Sequence, residues 1–321
     1  MLTSARITLT HHRFEVGAAA LAALVVGISA LVVNYRLQSV GVPPGCFDAW
    51  LTAGGIDTAP NCASPVQAFA TINEEEAGKI FAAMAVLPFA VGLLGGVPLV
   101  GRELETRTAQ TAWSLSGSRV RWLGRQLLPV FVVLLVTVAF AALATDFLEA
   151  TRQPWYHSAI WDMALHGPIV VGRAIAGLGT GLLVGAVIGR TLSAFIVGAL
   201  AALVAVMLVS GIQTGWFRSH AQVILLEQDG SGHDDALQFE QFWLAPDGTR
   251  LDEGALMAEV PAANAENPFD WLTEHGYRQA LLGLPSDAAL GWVPNDVAIF
   301  SGLGIAGAAA AAFVVTRRRP A

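Results

Sequence analysis

The densest run of chemically able side chains lies between Gly101 and Gln126. It carries the cations Arg102, Arg107, Arg119, Arg121 and Arg125, the acids Glu103 and Glu105, the indoles of Trp113 and Trp122, and the hydroxyls of Thr108 and Ser118. The stretch reads as a helix continuing from the apolar run before it, a turn at Ser116-Gly117-Ser118, and a second helix capped by Ser118. Acids early and arginines late suit the helix dipole. Arginines facing anionic lipid would account for the charge. They would not account for two indoles held in one short two-helix unit, a combination suited to docking rather than to bond-making chemistry.

Reaction chemistry is absent elsewhere too. Gly78-Lys79 lacks both the upstream glycine and the following hydroxyl of a phosphate-binding loop, and neither a His-Glu-x-x-His pair nor a nucleophile elbow occurs. His11 and His12 adjoin on one N-terminal helix, so they point to different faces and form no i, i+4 ligand pair. We therefore expect no catalytic residue, no metal ligand set and no enzyme activity in this chain; an intramembrane enzyme would need a buried nucleophile–base or metal pair. The only cysteines, Cys46 and Cys62, share one loop. In an oxidising compartment they read as a disulfide worth about 3 kcal/mol, the alternative being two free thiols. No histidine lies near them to complete a metal site.

The elements that position these residues follow from composition. Of 321 residues, 54% are hydrophobic and 13% charged, with a net charge of −7 and a mean hydropathy of +0.56. A soluble domain carries about 25% charged residues. Disorder, coiled coil and nucleic-acid binding are excluded, and an integral membrane protein remains. A spanning helix needs roughly 20 apolar residues. Val16–Val33, Ile80–Val100, Leu127–Thr145 and Val297–Val315 each supply one. Pro168–Phe217 would be about 75 Å of helix, which requires two spans with a turn at Gly189-Arg190-Thr191. The fold class is thus an all-α membrane protein of six transmembrane helices. Ala18-Ala19-Ala20 lies at the wrong end of the first run for a cleavage site, so that run reads as an anchor.

Charge sets the orientation. With a cytoplasmic N-terminus, the inside holds 11 basic residues and three acids (Glu15, Glu103, Glu105), against seven basic residues and 22 acids outside. By the positive-inside rule both termini are cytoplasmic. The expected organisation is an interfacial helix at 1–14, five transmembrane helices over 15–212 with a disulfide loop at 36–79, a small α+β extracytoplasmic domain at 213–294, and the sixth helix with a basic tail at 295–321. The outer segment carries Trp216, Trp243, Trp271 and Trp292, with turn signals at Asp229-Gly230 and Pro246-Asp247-Gly248. Trp216 and Trp292 also suit an interfacial aromatic belt. Glu74-Glu75-Glu76, just outside the second span, reads as a solvated face or a cation-attracting run.

Within the membrane, Gly177, Gly181, Gly185 and Gly189 recur every fourth residue, placing a close-packing stripe on one helix face. Gly304, Gly307 and the run Ala308–Ala312 argue likewise for the last span. Pro88, with Gly92, Gly95 and Gly96 behind it, should kink or loosen the second. Arg173 is the one charge clearly within a span. It reads as a pathway residue partnered by an outer carboxylate such as Asp162, or as a snorkelling side chain.

The 98–122 block resembles the membrane subunit of type-2 ATP-binding-cassette (ABC) exporters, especially the actinobacterial permeases. The residues that carry the resemblance are Pro98-Leu99, Arg102-Glu103, Glu105, Thr108, Ala112-Trp113 and Ser118-Arg119-Val120-Arg121-Trp122. Arg107 stands where that family commonly has glycine, and Ser114-Leu115 replaces Thr-Gln. Looser matches are His12-Arg13, the two-cysteine loop, Arg190-Thr191 and Pro246-Asp247-Gly248.

The resemblance implies a six-helix permease of the bacterial plasma membrane whose 101–126 region is a coupling region docked on an ATPase. Coupling residues carried over are Arg102, Glu103, Glu105, Thr108, Trp113, Ser118, Arg119 and Trp122, with Glu103 and Glu105 pairing with basic ATPase residues or capping local arginines. Two ATPases, binding ATP and Mg, and a second permease subunit, identical or homologous, would complete the working unit; this chain would bind no cofactor itself. Export of hydrophobic or amphipathic compounds is the implied activity. The alternative is a membrane sensor or scaffold whose outer domain binds a ligand and signals through the 101–126 loop.

Overall fold

The computed structural model describes residues 8–47, 61–109, 111, 113, 118–152, 163–226, 236–251, 254, 256–257, 260–261 and 268–318. Apolar runs set its architecture. Among the described residues, six helices are long and apolar enough to cross a membrane. The first is α1 (Arg13–Val40). The second is built from α2 (Ala63–Thr71), a π-helical stretch at Ile72–Ala77 and α3 (Gly78–Glu105), with Pro88 and Pro98 inside α3. The third is α4 (Arg119–Arg152), the fourth α5 (Gly167–Ile188), and the fifth α6 (Thr191–His220).

The expected turn between the fourth and fifth spans falls at Gly189, whose φ of 64° ends α5 in the left-handed region that glycine adopts without a Cβ penalty. This corrects the reading of Gly189 as a packing residue, since a Cβ there would meet the Arg318 guanidinium rather than another helix. Its three companions pack within the chain. A Cβ on Gly177 would lie 2.8 Å from Phe89 O, and one on Gly185 would lie 2.8 Å from Val97 O, so α5 and α3 meet backbone to backbone. The opposite face of α5 meets the last helix equally closely: a Cβ on Gly304 would lie 2.3 Å from Ile175 O.

Beyond α6 the chain forms β1 (Gln222–Leu225), β2 (Ala236–Leu244), β3 (Arg250–Leu251), α7 (Pro268–Glu274), β4 (Arg278–Pro285), α8 (Ser286–Leu290) and the sixth span, α9 (Val293–Arg317). The antiparallel sheet has strand order β1-β4-β2-β3. The hairpin between β2 and β3 turns at Pro246-Asp247-Gly248, where Thr249 N donates to Asp247 Oδ1 at 2.8 Å. The Asp229-Gly230 turn signal and Asp162 lie outside the described residues. The rings of Trp216 and Trp292 lie against each other, tilted by 33° with centroids 4.5 Å apart. The Cys46–Cys62 disulfide is formed across 16 residues. Glu76 of the π-helical stretch pairs with Arg36 of α1.

Candidate functional site

The chain direction gathers the ends of α1, α3, α4, α5, α6 and α9 on one side of the bundle, called here the loop end. The helix expected to run on from the second span to a turn at Ser116-Gly117-Ser118 is interrupted after Glu105; residues 114–117 lie outside the described residues. Thr106 N still donates to Arg102 O at 2.9 Å, but Arg107 adopts φ 62°, and helix resumes only at Thr108. Left-handed backbone disfavours a side chain, which gives a physical reason for glycine at this position in the resembling permeases.

The two acids of the last turn of α3 each find a partner in their own chain, and among the described residues neither pairs with an arginine. Glu103 is buried, meets His11 Nε2 at 3.1 Å and accepts a hydrogen bond from Thr108 Oγ1. Glu105 accepts from Thr191 N at 3.0 Å and Thr191 Oγ1 at 2.7 Å, placing a carboxylate at the N-terminus of α6, where the helix dipole favours it. Arg102 Nη1 donates to Glu15 Oε1 of α1 at 2.7 Å.

The second half of the region is bound as tightly. Ser118 Oγ accepts from Arg121 N at 3.5 Å, at the expected cap position. Arg119 reaches the C-terminus of α9, donating to Val315 O and Thr316 O at 3.0 Å and to Arg318 O at 2.6 Å. Its guanidinium also lies over the Trp113 ring at 4.6 Å. Trp113 and Trp122 meet edge to face at 6.0 Å. With the Gln126 amide oriented by its hydrogen bonds, it accepts from Trp122 Nε1 at 3.1 Å and donates to Leu99 O at 3.2 Å. Arg318 donates in turn to Ala186 O near the end of α5. Thr191, Gln126 and Arg318 carried no sequence signal for these roles beyond lying near helix ends.

Two findings differ from the sequence reading. His11 and His12 do not point apart: the helix breaks at His12, at φ −103° and ψ 23°, and their rings meet at 5.0 Å. Together with Glu103 they offer ligand atoms all within 4.8 Å of one another. His12 is 1% exposed; burial, with His11 beside it, pushes its imidazole below the ordinary value.

Arg173 is likewise buried inside the chain, at 8% exposure, rather than extended to a surface. It lies over Phe300 at 5.4 Å and is attracted by Asp296 of α9. Asp296 accepts from Gln213 Nε2 and Trp292 Nε1, each at 2.9 Å. By sequence Asp296 falls one residue outside the apolar run of the last span, so nothing there marks it as the partner of Arg173.

Between α4, α5 and α9 lies an apolar cleft of about 270 Å³, lined by Leu128, Phe131, Leu178, Leu182, Ile305 and Ala308 among others. No curated protein and no solved structure matches the chain. The family model described as ABC-2 membrane transporter related matches residues 16–214, from the start of α1 almost to the end of α6. With six apolar helices over and beyond that range, the chain is a multi-pass membrane protein of the ABC-2 membrane transporter related family, a membrane permease.

Proposed function

We propose that this chain is the permease subunit of an ABC exporter of hydrophobic or amphipathic compounds, driven by a separate ATPase that docks on the 101–126 region from the cytoplasm. One observation carries the reading: side chains of this short region end on four other parts of the bundle. Arg102 holds α1, Glu105 holds α6, Arg119 holds α9, and Gln126 with Trp122 holds α3. A partner pressing on the region therefore loads several spans at once, as a shear or rigid-body movement requires. Glu103, Thr108, Trp113 and Ser118 act as coupling residues by keeping the two halves of the region in shape.

The excess of Lys and Arg at the loop end supports its cytoplasmic placement, which puts the sheet and the disulfide outside. The apolar cleft, opening between spans, suits a cargo that is soluble in the bilayer. Two permease chains and two ATPases carrying ATP and Mg form the working unit in a bacterial plasma membrane. The first test is co-purification with a candidate ABC ATPase co-expressed with this chain. A stable assembly with equal numbers of the two chains is expected. Failure to associate, with a ligand bound by the 213–294 domain instead, would favour the sensor reading.

A further inference from the structure

His12 presents a problem that hydrogen bonding within the chain does not solve. Its ring is almost fully buried, yet among the described residues neither Nδ1 nor Nε2 has a hydrogen-bond partner. Leaving a buried polar group unmatched costs about 1–3 kcal/mol, and the break at His12 turns this ring toward His11 and Glu103 instead of letting it follow the helix. We propose that His11, His12 and Glu103 form a binding site for a divalent transition-metal ion, with Zn(II) the best chemical fit.

The donor set supports that metal. Two imidazole nitrogens and one carboxylate oxygen suit zinc and its borderline-soft neighbours rather than calcium or magnesium, which favour oxygen alone. Three protein ligands leave a fourth position for water. His11 Nε2 and Glu103 Oε1 already lie 3.1 Å apart, near the separation of about 3.3 Å that two ligands at zinc bond lengths have in a tetrahedron. All three donors fall within 4.8 Å, and the half-exposed His11 side chain is free to rotate the remaining distance. The Thr108 hydroxyl bonded to Glu103 is the kind of outer partner that orients a ligating carboxylate. The neighbouring cation, Arg102, is paired with Glu15, so its charge is largely offset. An ion here would staple the segment before α1 to the end of α3.

The test uses the full chain in detergent, carrying a tag without histidine and stripped of metal, titrated with Co(II) by visible absorption and with Zn(II) against a chromophoric chelator. Expected are one saturable ion per chain, a Co(II) spectrum of four-coordinate nitrogen–oxygen type, and a thermal midpoint raised by Zn(II). His11→Gln, at a side chain 51% exposed, should weaken binding at least about tenfold and remove the rise in midpoint that Zn(II) gives. His12→Gln should do the same, and His220→Gln should change nothing. Absence of saturable binding, or binding undiminished in His11→Gln, would overturn the site.

Discussion

The two ends of the helical bundle are held by different chemistry. At the loop end, Arg119, Arg318, Glu105 and Gln126 bind mainly to backbone groups near helix ends. These bonds are partly exposed and fix positions more than they supply stability. At the opposite end, buried charges do the work. Arg152 Nη1 meets Glu149 at 3.0 Å with both side chains buried. Arg152 Nε donates to Asn73 at 2.6 Å, and its guanidinium lies over Phe81 at 4.4 Å. Asp296 ties α6 to α9, and a disulfide closes the loop after α1. Removing one partner of a buried pair is far more costly than cutting an exposed contact. The contrast teaches that single losses should cost more at the end held by buried charge and a disulfide than at the end held by bonds to helix-end backbone.

Breaking the contrast begins with the largest effect. Glu149→Ala leaves Arg152 buried and short of its carboxylate, and should lower stability by about 3–5 kcal/mol, read as the thermal midpoint in detergent. Cys46→Ser with Cys62→Ser should cost about 3 kcal/mol through the reopened loop, and reduction of the unmodified chain should match it. Gly304→Ala drives a methyl into Ile175 O and should cost about 1–3 kcal/mol by overpacking. An unchanged midpoint would show that α5 and α9 separate freely.

At the loop end the expected change is smaller and opposite in sign. Arg107→Gly relieves left-handed strain of about 1–2 kcal/mol and returns about 0.5–1 as backbone entropy. The net is a slight stabilisation, with a midpoint equal to or just above that of the unmodified chain. A clear loss would mean that the Arg107 side chain holds this end together.

How much of this was legible in the sequence depended on the range of the interaction. The spans were, because twenty apolar residues in a row have few other uses, and the αL turn at Gly189 was marked by the polar break beside it. The two cysteines in one loop likewise announced their bond. Pairings between distant elements were not. Spacing within a sequence said nothing of Glu105 reaching Thr191, or of Arg119 reaching the end of α9. For Arg173 the sequence suggests an outer carboxylate such as Asp162 or a snorkelling side chain, and gives no sign that the fold brings Asp296 to it from another helix. The contact of His11 with His12 is hidden for a local reason: helical periodicity separates adjacent residues, and the break at His12 carries no glycine or proline to announce it. Arg107 is the converse case, an irregularity that shows only once φ is known.

The most direct test of the central claim is ATP hydrolysis by a candidate ABC ATPase reconstituted in lipid with this chain, with and without amphipathic compounds, comparing the unmodified chain with Arg119→Ala. The account predicts that the complex assembles in both, that such a compound stimulates turnover in the unmodified chain, and that Arg119→Ala loses the stimulation while keeping basal hydrolysis. Stimulation undiminished in Arg119→Ala, or no complex at all, would contradict it.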